Sequence, residues 1–177
     1  MTTRRGVRLA VDWGKARIGV AACDPSAVLA YPVTTVAAGE HELATLAALV
    51  AEHEPIEVVV GFPRRMAGDE GPAAEFVRAR ADALAAALLE RGLDVPVRLV
   101  DERLSTVTAS RRLHEGGKNT RQQRSVIDAA AAVAILESAL AAEAAQSEPP
   151  GTVVSGPPTR DRSPRRHTLD DQEDPLA

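Results

Sequence analysis

Leu9-Ala-Val-Asp-Trp-Gly-Lys-Ala-Arg-Ile-Gly-Val20 is the stretch from which the fold can be read. A short apolar run ends in Asp12, and glycines follow at positions 14 and 19. That pattern predicts a strand over 7–12, a tight turn at Gly14 and a second strand over 17–22. So short a link makes the two strands antiparallel neighbours. A strand that brings one carboxylate to a turn and then doubles back is suited to holding a metal or a phosphate. The question is what Asp12 works with.

Moving outward, 29–36 reads as a third strand, with Pro32 marking an edge or an irregularity. Leu43, Leu46, Ala47 and Val50 fall on one face of a helix over 41–53. A buried strand over 57–61 leads into a helix over 72–91, with Pro72 in its first turn and Gly92 after its end. A strand over 95–100 ends in Asp101-Glu102, and a short helix over 105–114 stops before Gly116-Gly117. Thr120-Arg-Gln-Gln123 matches a capping box and opens a long helix to about residue 145. The order β-β-β-α-β-α-β-α-α predicts an α/β fold. Its mixed central sheet has three antiparallel strands first, then parallel strands, with helices on both faces.

The 177 residues suffice for one domain with a real core. Hydrophobic residues make up 45% but aromatics only 2%, so Ala, Val and Leu must build a core of helices packed close to the sheet. No run of about 18 apolar residues predicts a membrane span. No apolar stretch of signal-peptide length follows Arg4-Arg5. The lone cysteine, Cys23, has no partner for an internal disulfide and reads as a small core residue of a cytoplasmic protein. From Ser147-Glu-Pro-Pro-Gly151 the chain turns to Pro, Ser, Thr, Arg and Asp. This predicts a folded domain over 1–145 and a disordered tail over 146–177.

The net charge is −4, yet six basic residues face one acid, Glu115, between 103 and 124. Arg103, Arg111, Arg112, Lys118, Arg121 and Arg124 form a segment able to hold a phosphate backbone, or else a solvated helix face and loop.

In α/β sheets sites gather at the carboxyl ends of strands, where Asp12 and Asp101-Glu102 lie. Strand side chains alternate, so only one of Asp101 and Glu102 shares the side of Asp12, and the sequence leaves open which. A third acid, Asp128, stands among alanines on the long helix, where burial requires a partner. That partner is either a shared cation or Arg124, four residues earlier. Three convergent carboxylates suit Mg²⁺ or Mn²⁺, hard cations that can position water and stabilise a leaving oxygen. The four histidines lack zinc-ligand spacing, and neither a Walker-type phosphate loop nor a nucleophile elbow is present. Ser105 and Thr106 have no evident activating histidine and read as helix caps. Trp13 and Phe62 adjoin these motifs, as packing or as stacking platforms.

Four segments, in order and spacing, resemble the motifs of the YqgF family, also called RuvX. They are Asp12-x-Gly14-x-x-Arg17-Ile18-Gly19, Val60-Gly61-Phe62-Pro63, Asp101-Glu102-Arg103-Leu104-Ser105-Thr106 and Ile127-Asp128-x-x-Ala131-Ala132-x-x-Ile135-Leu136. The resemblance spans about residues 6–143 and leaves out the tail. It implies an RNase H-like fold and a cytoplasmic nuclease trimming the 5′ end of pre-16S rRNA in ribosome biogenesis. Cleavage of Holliday junctions in branched DNA is the older proposal for the family. It implies Asp12, Glu102 (or Asp101) and Asp128 as catalytic metal ligands for Mg²⁺ or Mn²⁺. Arg17 and Arg103 would contact phosphate or brace the carboxylates. The implied partners are pre-rRNA or branched DNA and ribosomal precursor particles, with no membrane and a monomer or homodimer as the working state. Two other readings compete: a non-catalytic assembly factor binding RNA through the basic segment, and an ATP-dependent sugar or acetate kinase using the Asp-x-Gly turn as a phosphate loop.

Overall fold

The computed structural model describes residues 3–63, 70–102 and 121–154, with side chains left out for 121–128. Six strands form one sheet in the order β3-β2-β1-β4-β5-β6. They are β1 (Arg8–Trp13), β2 (Arg17–Cys23), β3 (Ala30–Ala37), β4 (Glu57–Phe62), β5 (Val97–Asp101) and β6 (Thr152–Val153). The first three are antiparallel, and β1, β4 and β5 are mutually parallel. The helices are α1 (Glu42–His53), α2 (Pro72–Glu90) and α3 (Arg121–Gln146). The expected short helix over 105–114 lies outside the described residues.

Local chemistry explains most element ends. The Gly14 N–H donates to the carbonyl of Arg17 (3.0 Å) and closes the β1–β2 turn. Pro32 lies in edge strand β3, where a missing donor is tolerated, beside a register shift at Val20/Ala21. Pro72 opens α2 in its first turn, and Gly92 follows it at a positive φ of 73°. A Glu42 carboxylate oxygen reaches back to the Gly39 N–H (2.8 Å), satisfying one of the free donors at the α1 entrance.

The two faces of the sheet differ in chemistry. On one, Leu9, Val11, Trp13, Ile18, Val20, Val58, Val60 and Phe62 pack under Leu46 and Val50 of α1 and Val77, Ala81, Leu84 and Leu88 of α2. Trp13 and Phe62 are buried here, so they pack; Arg78 lies over the Phe62 ring, 4.9 Å from its centroid. On the other, α3 covers a floor of smaller residues, Ala10, Ala21, Cys23, Val59 and Val100, with Ala132, Ile135, Leu136, Ala139 and Leu140. Residues 129–146 of α3 are long and apolar enough to cross a membrane by length and composition. In the fold, the apolar stripe of α3 packs against this floor instead.

One boundary needs correction. The chain does not leave the fold at 146: after α3, Thr152 and Val153 pair antiparallel with β5 as Leu99↔Thr152 and Arg98↔Val153, and Val154 is buried in the core. Gly151 makes this possible at φ 83°, since a Cβ there would run into the Leu99 carbonyl. Residues 155–177 of the expected tail lie outside the described residues.

The small-residue floor carries charge at its amino end. Arg8, Glu57 and Glu143 are all at most 2% exposed. Arg8 Nη2 lies 3.0 Å from both carboxylate oxygens of Glu143 on α3. Arg4 Nε donates to the same carboxylate (2.9 Å), and its Nη2 donates to Glu57 (2.6 Å). Arg98 Nε donates to the other Glu57 oxygen (3.1 Å). Burial alone would raise the Glu143 carboxyl. Hydrogen bonds from the Arg4 side chain and backbone and the charges of Arg8 and Arg4 outweigh it and hold the group below its ordinary value of 4.5. A carboxyl held low in the folded state contributes stability that is fully present above 4.5 and is lost as the pH falls through its folded value. Urea midpoints measured from pH 7 down to pH 3 should therefore fall in this acid range, and Glu143→Gln should flatten that fall; an identical acid limb in the variant would remove Glu143 as a source.

Candidate active site

Alternation along the strands decides which side chains meet under α3. Asp12 shares the face of Arg8 and Ala10 and pairs across to Gly19 of β2. The parallel register Val11↔Val60 sets Gly61 of β4 beside Asp12 on the other flank. Asp12 is 4% exposed, so a buried carboxylate stands between two residues with no side chains.

The Asp101/Glu102 ambiguity resolves geometrically. Asp101 pairs with Phe62 and continues the parity of Val97 and Leu99, whose side chains belong to the α1/α2 core. Glu102, directly after β5, turns to the α3 side: its Oε1 lies 3.1 Å from where a Cβ of Gly61 would stand. The same Cβ would overlap the Cδ1 of Ile135 from α3. Gly61 is thus the opening through which the Glu102 carboxylate and Ile135 approach β4. Of the pair, Glu102 shares the face of Asp12 and Asp101 does not.

Asp128 lies on α3, seven residues before Ile135 and four before the fully buried Ala132. Seven residues are nearly two turns, so position 128 falls on the stripe that meets β4, about 10 Å further toward the helix start. Positions 129, 130 and 133, by contrast, line a cleft of about 560 Å³ against Pro32, Val33, Thr34 and Thr35 of β3. The Asp128 side chain is outside the described atoms, as are those of Arg121 and Arg124. Arg103, Arg111, Arg112 and Lys118 lie wholly outside the described residues. Arg17 opens β2, half-buried, two residues before Gly19 and on the same face.

Among the described residues no group of three or more His, Cys, Asp or Glu side chains stands ready for a metal ion. Among the described residues the notch brings together Asp12 and Glu102, two carboxylates, whose oxygens are of the kind hard cations take. The arrangement is an acidic notch at the carboxyl edge of β1, β4 and β5, roofed by α3.

Comparison with known proteins agrees with this frame. Residues 6–142 match the family described as RuvX, Holliday junction resolvase. A Streptomyces coelicolor protein named "Putative pre-16S rRNA nuclease" is 55% identical over 153 residues, covering 85% of this chain and 89% of its own length. A Thermobifida fusca protein of the same name is 51% identical over 162 residues, covering 88% and 99%. Among solved structures, Thermus thermophilus RuvC in complex with a Holliday junction substrate superposes with a TM-score of 0.53 at 16% identity. That match covers 84% of this chain and 99% of the other and establishes the shared RNase H-like fold.

The tight approach at Gly61 gives a direct test. Gly61→Ala should destabilise the protein by about 1–3 kcal/mol through overpacking against Ile135, read from urea unfolding. Its nuclease activity should fall further than that loss of folded protein accounts for, because Glu102 is displaced as well. A variant with unchanged unfolding would mean that β4 and α3 are not in this contact. The match over residues 6–142 and relatives above 50% identity settle the lineage: this chain belongs to the RuvX family.

Proposed function

We propose that the protein is a metal-dependent endonuclease of the cytoplasm that hydrolyses phosphodiester bonds of structured precursor rRNA, trimming the 5′ end of pre-16S rRNA. The observation that carries this is the meeting of Asp12 and Glu102 on the α3 face at the carboxyl edge of the sheet, with position 128 on the facing stripe of α3. The names of the relatives supply the substrate.

In this reading Asp12, Glu102 and Asp128 hold Mg²⁺ or Mn²⁺. When bound, the cation would supply a polarised water and charge neutralisation at the cleaved phosphate. Asp12 is the fixed point, because it is buried on a strand paired on both sides. Glu102, just past the end of β5 and close to Gly61, is the second ligand, and Asp101 lies on the opposite face. Arg17 with Arg103, Arg111, Arg112, Lys118, Arg121 and Arg124 steers and grips the phosphate backbone. A strand of RNA needs only one such notch, so a monomer suffices.

Branched DNA is the second reading, favoured by the family description and by the RNase H-like fold shared with a junction-bound RuvC. Symmetric junction cleavage would require a two-fold pair of these notches. The third reading, a kinase, has no support in a chain whose RuvX match runs from 6 to 142.

Asp12→Asn keeps the shape of the buried side chain and removes its charge. Cleavage of a pre-16S rRNA 5′ leader fragment with Mn²⁺ should fall at least about a hundredfold, because even outer-shell partners of a metal cost 10–100-fold. Full activity in that variant would sink the nuclease reading. Growth complementation by the inactive variant would favour a non-catalytic assembly role. Faster cleavage of a four-way DNA junction than of the RNA would move the substrate to branched DNA.

A further inference from the structure

The buried ion network at the amino edge and the acidic notch at the carboxyl edge sit on the same face of the sheet, joined by one helix. On that face β1 presents Arg8, Ala10 and Asp12; β4 presents Glu57, Val59 and Gly61; β5 presents Arg98 and Val100, with Glu102 directly after it. On α3 the matching stripe runs Asp128, Ala132, Ile135, Ala139, Glu143. Both surfaces are therefore small or apolar in the middle with a charge at each end.

The middle carries one register-specific contact, Ile135 of α3 against Gly61 of β4, among residues that are mostly small. α3 carries alanine at 129–132, 134, 139, 141, 142, 144 and 145, and the floor under it is Ala10, Ala21, Cys23, Val59 and Val100, with Gly19 and Gly61 beside Asp12. Apart from that contact, repeated alanines offer similar packing in neighbouring registers. A slip of one residue moves a helical position by 1.5 Å and turns it by 100°; a slip of one turn moves it by 5.4 Å. The charged end adds a second, polar mark of register. Glu143 is reached by Arg8 Nη2 at both oxygens (3.0 Å each), by Arg4 Nε (2.9 Å) and by the Arg4 backbone N–H (3.0 Å). Arg8 is held in turn by the Arg4 carbonyl (2.9 Å) and by Glu57 (3.5 Å). Buried ion pairs stabilise little relative to apolar packing, and their best-attested use is to fix register.

We propose that Glu143 and Arg8 are positioning residues for the nuclease reaction: clamped at the amino edge, they set the axial register of α3 and so the placing of helix position 128, fifteen residues away, relative to Asp12 and Glu102. The inference rests on the metal-dependent nuclease reading and deepens it. Neither residue touches substrate or metal; they act through the rigid helix between them and the notch.

The test uses the full-length chain at pH 7.5 and Mn²⁺ alone as probe, by calorimetry, alongside cleavage of the RNA fragment at rising Mn²⁺. Glu143→Gln can still accept from Arg4 and Arg8, but without the charge that fixes their geometry. It should raise the Mn²⁺ dissociation constant about tenfold or more, the range for residues that orient metal ligands. The Mn²⁺ needed for half-maximal cleavage should rise equally, while kcat at saturating Mn²⁺ stays within about twofold of wild type. Glu137→Gln, an exposed acid on the same helix, should change neither. A loss of stability alone would not produce this split. If Glu143→Gln does not fold, Glu143→Asp, which keeps the charge and withdraws it by one methylene, should show the same weakened Mn²⁺ binding. Folded variants with wild-type Mn²⁺ affinity, in a protein whose Asp12→Asn form has lost it, would overturn this inference and leave the nuclease reading standing. Wild-type protein that binds no Mn²⁺ would overturn both.

Discussion

The contact between Arg8 and Glu143, 135 residues apart in sequence and at most 2% exposed, is the constraint on which the α3 face depends. It joins the first strand to the last third of the last helix. Glu57 and Arg98 extend it across β4 and β5, and Arg4 closes it from the N-terminal arm. Removing one partner from such a buried set leaves a charge without compensation, which is far more costly than never having had the pair. The amino edge is therefore an all-or-none assembly. Its formation requires β1, β4, β5 and α3 to be in place together.

The carboxyl edge of the same face obeys the opposite rule. There the sheet contributes Asp12 and Glu102, two groups of one sign. Like charges drawn together under a helix oppose folding unless something positive joins them. Rigidity must then come from elsewhere, and the glycines show how closely the parts are fitted. Gly19 and Gly61 flank Asp12, and Gly61 admits both Ile135 and the Glu102 carboxylate where a Cβ would exclude them. Opposite charges at one end and two carboxylates of the sheet at the other, with alanines between, give the two ends of α3 different chemistry.

Much of this was legible in the sequence because it is local. The β1–β2 hairpin, edge strand β3 with Pro32, the Pro72 start of α2 and the Gly92 stop each rest on residues within a few positions of one another. The same holds for Asp12 at a strand end and Asp128 on an apolar helix. What could not be read depends on pairing between distant segments. Asp101 and Glu102 were indistinguishable until the phase of β5 was fixed by its pairing with β4. Strand β6 is two residues inside a Pro- and Gly-rich stretch, formed only because Gly151 turns the chain onto an edge that β5 already offers. The Arg8–Glu143 clamp left one trace, an acid recurring on the Asp128 stripe at 143, which has meaning only once β1 is known to lie beneath it.

The 16% identity to RuvC at a TM-score of 0.53 fits a fold specified by pattern more than by residue identity. A sheet face with a small-residue floor accepts a helix of nearly any apolar composition, provided the helix is thin enough to lie close. That tolerance exposes a weakness: the thinner and smoother the contact, the less it dictates where the helix stops. An alanine-rich roof over a glycine-lined carboxylate therefore needs a polar lock somewhere along its length. The amino edge, four residues along β1 from Asp12, is where this chain has it.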